Sequence, residues 1–135
     1  MQKGRTLERA VEKLFGIYRQ KGIHCHKNNA LRNHVGKYLL GEPFDYEILT
    51  NPAKVFDAKE CGSVSLNFNT AKELKQLKNL YDCEQQGHDA FFLIYFYNEP
   101  KLVRIKASKI KEILETGRKS VKSGDCEGVE ILNVW

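Results

Sequence analysis

The chain has little that is long, apolar or patterned for a membrane. Among its 135 residues, the apolar run Ala90-Phe91-Phe92-Leu93-Ile94-Tyr95-Phe96 is far too short for a spanning helix, which needs roughly 20 residues. The amino-terminal stretch Met1-Gln2-Lys3-Gly4-Arg5 carries charge where a secretory signal would need its apolar centre, so a cytoplasmic protein with no membrane partner is expected. Its four cysteines, Cys25, Cys61, Cys83 and Cys126, lie far apart without a C-x-x-C pair. That spacing excludes a disulfide framework and a zinc ribbon. His24-Cys25-His26 invites a metal reading, but the alternation suits a strand and no second ligand pair follows at zinc spacing. No G-x-x-x-x-G-K-[ST] loop occurs, which argues against a nucleotide-hydrolysing motor. No Ser/His/Asp or Cys/His arrangement is readable by spacing, and there is no internal repeat or low-complexity linker.

What remains is an ordinary globular balance, with 41% hydrophobic and 29% charged residues. A chain of this length suits one domain over residues 1–135. Lys and Arg number 22 against 17 Asp and Glu, a net charge of +5. This excess favours an anionic partner, most commonly a phosphate backbone.

The elements follow from periodicity. Leu7, Ala10, Val11, Leu14, Phe15 and Tyr18 recur at helical spacing, with Thr6 as N-cap and Gly22 as stop. A short strand around Ile23–Lys27 follows, then a polar, basic loop over residues 28–43. Loops of this length in compact domains are often functional. FDYEIL (44–49) and KVFDAKEC (54–61) flank the turn residues Thr50-Asn51-Pro52-Ala53 and read as a hairpin. Its alternation assigns one apolar face to the core, including Phe44, Tyr46 and Ile48, and turns the charged residues elsewhere. Thr70-x-x-Glu73 opens a second helix striped by Leu74, Leu77, Leu80 and Tyr81 and ended by Gly87. AFFLIYFY (90–97) reads as a central strand covered on both faces. LVRIKA is an edge-type strand, Ser108 caps a short helix ending at Gly117, and VEILNVW is a last strand or docking segment. The fold class is α/β, a mixed central sheet of four or five strands flanked by helices.

The hairpin is where charge and structure conflict. Asp57 and Lys59 stand two apart on a strand and leave the same face. With a suitable turn, Asp45 lies across from Asp57 on that face. Two adjacent carboxylates repel, and on a partly dry face they need a cation between them. Magnesium suits such a site because it takes a few carboxylate oxygens and keeps several waters. Lys59 could then polarise a water or offset charge on a phosphate. From D…D-x-K spacing alone, a solvated hairpin face with a cross-strand ion pair is the plainer reading; context decides between them.

That context is a resemblance. Pro43-Phe44-Asp45, a turn, then Val55-Phe56-Asp57-Ala58-Lys59 resembles the acidic hairpin of PD-(D/E)XK nucleases, although Phe44 separates Pro43 from Asp45. Gly4-x-x-x-Glu8-Arg9 resembles the opening helix of archaeal Holliday-junction resolvases. Asn67-Phe68, a Lys/Gln-rich helix and then Gly87-His88-Asp89-Ala90-Phe91-Phe92-Leu93-Ile94 are similar to RecU-type resolvases and their penicillin-binding-protein-related factor A relatives. The likeness covers roughly residues 4 to 97.

The resemblance implies a metal-dependent DNA endonuclease that acts on four-way or otherwise branched DNA as a homodimer, in a bacterial cell or a phage-infected host. Asp45, Asp57, the Ala58 carbonyl and Glu8 would hold Mg²⁺, with Mn²⁺ as a substitute, and Lys59 would be the catalytic lysine. A glutamine on the second helix should stand near the site, which leaves Lys75 or Gln76 open. By charge and location, Arg5, Lys27, Arg32, Lys37, Lys54, Lys75 and Gln76 are the DNA-contact candidates. A duplex or single-strand nuclease of the same class, or a non-catalytic nucleic-acid-binding module keeping the nuclease fold, are the alternatives.

Overall fold

A computed structural model of the chain describes residues 5–28 and 44–130. The expected loop over residues 28–43 and the terminal residues 131–135 therefore lie almost wholly outside the described residues. The first helix, α1 (Arg5–Gln20), buries Leu7, Val11, Leu14, Phe15 and Tyr18. Steps of three and four residues place these side chains on one stripe. Gly22 takes a φ of 82° just beyond the helix, a left-handed conformation that glycine adopts without a Cβ penalty. Because the helix begins at Arg5, Thr6 stands inside its first turn and not at the expected cap.

The chain then continues through β1 (Cys25–Lys27), β2 (Tyr46–Ile48), β3 (Lys54–Cys61) and β4 (Ser65–Asn67) to α2 (Ala71–Gln85). It goes on through β5 (Asp89–Phe96), β6 (Lys101–Lys106), α3 (Ala107–Glu115), β7 (Ser120–Lys122) and β8 (Glu127–Gly128). Six strands form one sheet in the order β1-β2-β3-β5-β6-β8, and β4 pairs with β7 separately. β3 and β5 run parallel, while the other neighbours in the large sheet are antiparallel. A parallel pair needs a long crossover, and α2 supplies it. The mixed α/β class is as expected, with more strands in the large sheet than the four or five anticipated, because β8 is only two residues long. A strand so short leaves no alternation to read.

Two cores lie on opposite faces of the sheet. On one, α1 packs over Tyr46, Ile48, Phe56, Phe91 and Leu93. On the other, Leu77, Leu80 and Cys83 of α2 and Ala107, Ile110 and Ile113 of α3 cover Val55, Ala90, Phe92, Ile94 and Phe96. β5 is thus covered on both faces, which explains its unbroken apolar run. In the β2–β3 hairpin, Tyr46, Ile48 and Phe56 face the α1 core as the alternation predicts, but the charged face of β3 is covered too, with Val55 in the other core and Asp57 buried. Phe44, ahead of β2, packs with the α2/α3 core rather than beside Tyr46.

Smaller departures have local causes. Thr70 caps α2 by accepting from the Glu73 N–H at 3.4 Å, as expected, but Leu74 is 45% exposed. Cys83 completes the buried stripe in its place. Ser108 lies inside α3, whose N-cap position is Lys106; the Ser108 N–H donates to Glu84 Oε1 on α2 at 3.0 Å. β6 is no edge, since β8 pairs along it; the expected VEILNVW segment lies mostly outside the described residues.

Phe91 is fully buried and stacks on Phe56 with ring centroids 5.0 Å apart. Phe91→Ala is expected to lower stability by about 3–5 kcal/mol in urea denaturation, because a collapsed cavity cannot refill between α1 and the sheet. A loss under about 1 kcal/mol would contradict this packing.

Candidate active site

β2 and β3 pair Tyr46 with Phe56, Glu47 with Val55 and Ile48 with Lys54. One step further along the same register sets Asp45 opposite Asp57. The Asp45 N–H donates to Asp57 Oδ1 at 2.7 Å. Asp57 is 1% exposed, the one charged side chain buried to that degree among the described residues. Its other oxygen, Oδ2, is buried without a hydrogen-bond partner. Leaving such an oxygen unpaired costs about 1–3 kcal/mol, and more when it carries charge. Burial first, and the Asp45 charge second, push the Asp57 carboxyl up to about 7, against the pull of the Asp45 N–H and of Lys59. The solvated hairpin face with a simple ion pair is therefore not what the fold builds.

Lys59 leaves the same face of β3 two residues on. Its Nζ donates to Gln76 Oε1 on α2 at 2.6 Å. Burial, with a contribution from Lys72, lowers the lysine pKa, while Asp57, Asp45 and Glu73 oppose this. Of the two candidates on the second helix, Gln76 is the one that meets Lys59, whereas Lys75 is exposed.

A cavity of about 240 Å³ opens at the end where β3 finishes, lined among others by Glu8, Lys27, Asp45, Ala58, Lys59 and Glu60. α1 brings Glu8, β1 brings Lys27, the entry to β2 brings Asp45, and β3 brings the rest. The Glu8 carboxylate is ion-paired with Lys27. Both side chains are more than a third exposed, so this tie contributes only about 0–1 kcal/mol and opens easily. Sequence reasoning set Glu60 aside because alternation points it away from Asp57. It does leave the opposite face, but at a strand end both faces border the same cavity. Its Oε1 accepts from the Leu7 N–H at 3.3 Å. A larger cavity of about 320 Å³ between β6 and α3 shares no residue with this one and mixes Lys106 and Lys109 with Glu112 and Asp125.

The remaining DNA-contact candidates divide. Lys54 is 18% exposed and bound to Asp89 at 3.1 Å, at the other end of β3, about 16 Å along the strand from Lys59. Asp89 also meets Arg104 at 3.3 Å, which commits Lys54 to a structural ion network. Arg32, Lys37 and the Arg5 side chain lie outside the described residues. Lys27 and Lys75 remain at the cavity and on the exposed face of α2.

Among the described residues, no three His, Cys, Asp or Glu side chains gather as a ready metal cage. Two opposed carboxylates, one with an orphaned buried oxygen, nonetheless fit a hard divalent cation that keeps its own waters. Glu8 borders the same cavity as Asp45, with its carboxylate paired to Lys27.

A family model described as Recombination protein U matches residues 44–131. The solved structure of Hjc, a Holliday junction resolvase from the archaeal hyperthermophile Archaeoglobus fulgidus, is similar with a TM-score of 0.54 at 16% identity, over 93% of this chain and 96% of that one. At that identity the likeness speaks for the fold. A search of curated proteins gives no match.

A carboxyl whose pKa is raised by folding favours the folded state while protonated and opposes it once ionised. Stability should thus fall as pH rises from about 4 through about 7. Metal-free Asp57→Asn, neutral throughout, is expected to be more stable than the parent above pH 7, on the order of a few kcal/mol, with the gain fading toward pH 4. Melting curves at both pH values check this, and equal stability at pH 8 would sink it.

Proposed function

The chain belongs to the Recombination protein U family, and on that footing we propose that it is a DNA endonuclease resolving four-way (Holliday) junctions with a divalent cation at Asp45 and Asp57. The observation that carries the reading is the buried, half-satisfied Asp57 carboxylate facing Asp45 with Lys59 two residues on. A purely structural face would gain nothing from it, because a buried carboxylate with one unpaired oxygen opposes the stability of the metal-free fold.

Asp45, Asp57, Glu8 and the Ala58 carbonyl would hold the cation, Mg²⁺ or its substitute Mn²⁺. Bound there, it supplies a water of lowered pKa and positive charge against a phosphate oxygen. The chain's own groups do the rest. Gln76 fixes the Lys59 ammonium by accepting one of its protons, which leaves its other N–H groups for a water or a phosphate oxygen. In a site screened from solvent, that charge acts on the developing phosphorane more strongly than it would in water. Burial lowers the Lys59 pKa, and Asp57, Asp45 and Glu73 act against that lowering.

Lys27, released from Glu8, would contact phosphates at the cavity, and Lys75 would do so from the exposed face of α2. A homodimer suits this substrate, since two symmetric sites would make paired cuts across a four-way junction.

Asp57→Ala and Lys59→Ala are each expected to reduce cleavage of a labelled four-way junction by about 10²-fold or more. Binding should be largely kept, because phosphate contacts by other basic side chains dominate affinity. The assay sets the junction beside its linear duplex, with Mg²⁺ and with chelator. Equal cutting of both substrates would remove the junction preference. Binding without cutting under any metal would point to a non-catalytic nucleic-acid-binding module.

A further inference from the structure

Lys59 and Glu60 are consecutive on β3 and leave opposite faces of the sheet. Lys59 reaches Gln76 of α2 on one side. Glu60 reaches the Leu7 N–H of α1 on the other. The end of β3 therefore ties helices from both outer layers to one cavity, and on the α1 side the tied residue immediately precedes Glu8.

We propose that Glu60 is a positioning residue that holds the first turn of α1 so that Glu8 faces Asp45 across the cavity. This rests on the reading of Asp45, Asp57 and Glu8 as cation ligands. Three observations carry it. Leu7 lies in the first turn, where backbone N–H groups have no intrahelical acceptor, and Glu60 provides one. A carboxylate at that end also interacts favourably with the helix dipole. Leu7 is 4% exposed and packed in the α1 core, so its amide is fixed relative to the sheet once the bond is made. Glu60 and Glu8 both border the cavity that holds Asp45 and Lys59.

A cap alone would also explain the bond, but α1 is docked by Val11, Leu14, Phe15 and Tyr18 independently of it. Loss of Glu60 should then leave the helix in place and loosen only its first turn. For a ligand to a hard cation, placement matters more than presence. Outer partners of metal ligands commonly change affinity or activity by about 10–100-fold.

The test compares the parent with Glu60→Ala, Glu60→Gln, Glu8→Ala and the double variant of Glu8→Ala with Glu60→Ala. The readouts are Mn²⁺ affinity by electron paramagnetic resonance, amide hydrogen exchange at Leu7, melting temperature and junction cleavage. Glu60→Ala is expected to weaken Mn²⁺ binding about tenfold and to speed Leu7 exchange, with little change in melting. Glu60→Gln, which keeps an oxygen acceptor, should recover most of both. The double variant should bind Mn²⁺ no more weakly than Glu8→Ala alone, because the two residues act through one ligand.

Unchanged affinity in Glu60→Ala, even with a melting shift, would reduce Glu60 to a cap and overturn the proposal. So would additive losses in the double variant, or a Glu60→Gln variant as impaired as Glu60→Ala. A parent that neither binds Mn²⁺ nor cuts DNA would instead fail the nuclease reading, and the positioning role with it.

Discussion

β3 is hydrogen-bonded along both edges and covered on both faces, and the rest of the structure follows from that confinement. It pairs antiparallel with β2 and parallel with β5, while α1 lies over one face and α2 and α3 over the other. A strand so enclosed has no solvated side on which to place a charge. Asp57 is mid-strand and therefore buried, and its neighbour across β2 is another carboxylate. The backbone pairing that stabilises the sheet is the same pairing that forces this electrostatic conflict.

The conflict is resolved only at the strand's end. Past Asp57, the cover thins and β3 meets the entry to β2, the end of β1 and the first turn of α1. There Asp45, the neighbour of the buried carboxylate, borders a cavity, and side chains of both faces of β3, Lys59 and Glu60, line the same volume. The opposite end of β3 is handled differently. Lys54, Asp89 and Arg104 satisfy one another there, so charge at that end is closed into a network. One end of the sheet is finished electrostatically, and the other leaves the Asp57 Oδ2 atom buried without a partner. This matches the general preference of open α/β sheets to bind ligands beyond the carboxyl ends of their strands.

How much was legible in the chain varies with how local the cause is. The stripe of α1, the Thr70 cap of α2 and the doubly covered β5 are written within single segments, so spacing alone reveals them. The opposition of Asp45 and Asp57 was also legible, since a hairpin register follows from turn length and alternation. Thr6 and Ser108 misled because capping residues next to a stripe occupy helical first turns as readily as caps. β4, β7 and β8 were too short to show a period, and Leu74 lies on the helical stripe yet faces solvent. Lys54 looked like a phosphate contact because charge alone carries no information about partners 35 residues away.

The sequence by itself determined the types of the longer elements, the register of the acidic hairpin once its turn length is set, and the placing of Asp57 and Lys59 on one side of a strand, because these depend on contacts between residues near in the chain. Only the tertiary structure decided that Asp57 is buried, that Gln76 and not Lys75 meets Lys59, that Lys54 is engaged elsewhere and that Glu60 reaches α1. Each of these depends on which elements pack against β3 from layers distant in sequence. Burial and charge pairing are properties of that packing, and a segment's own pattern cannot state what will cover it.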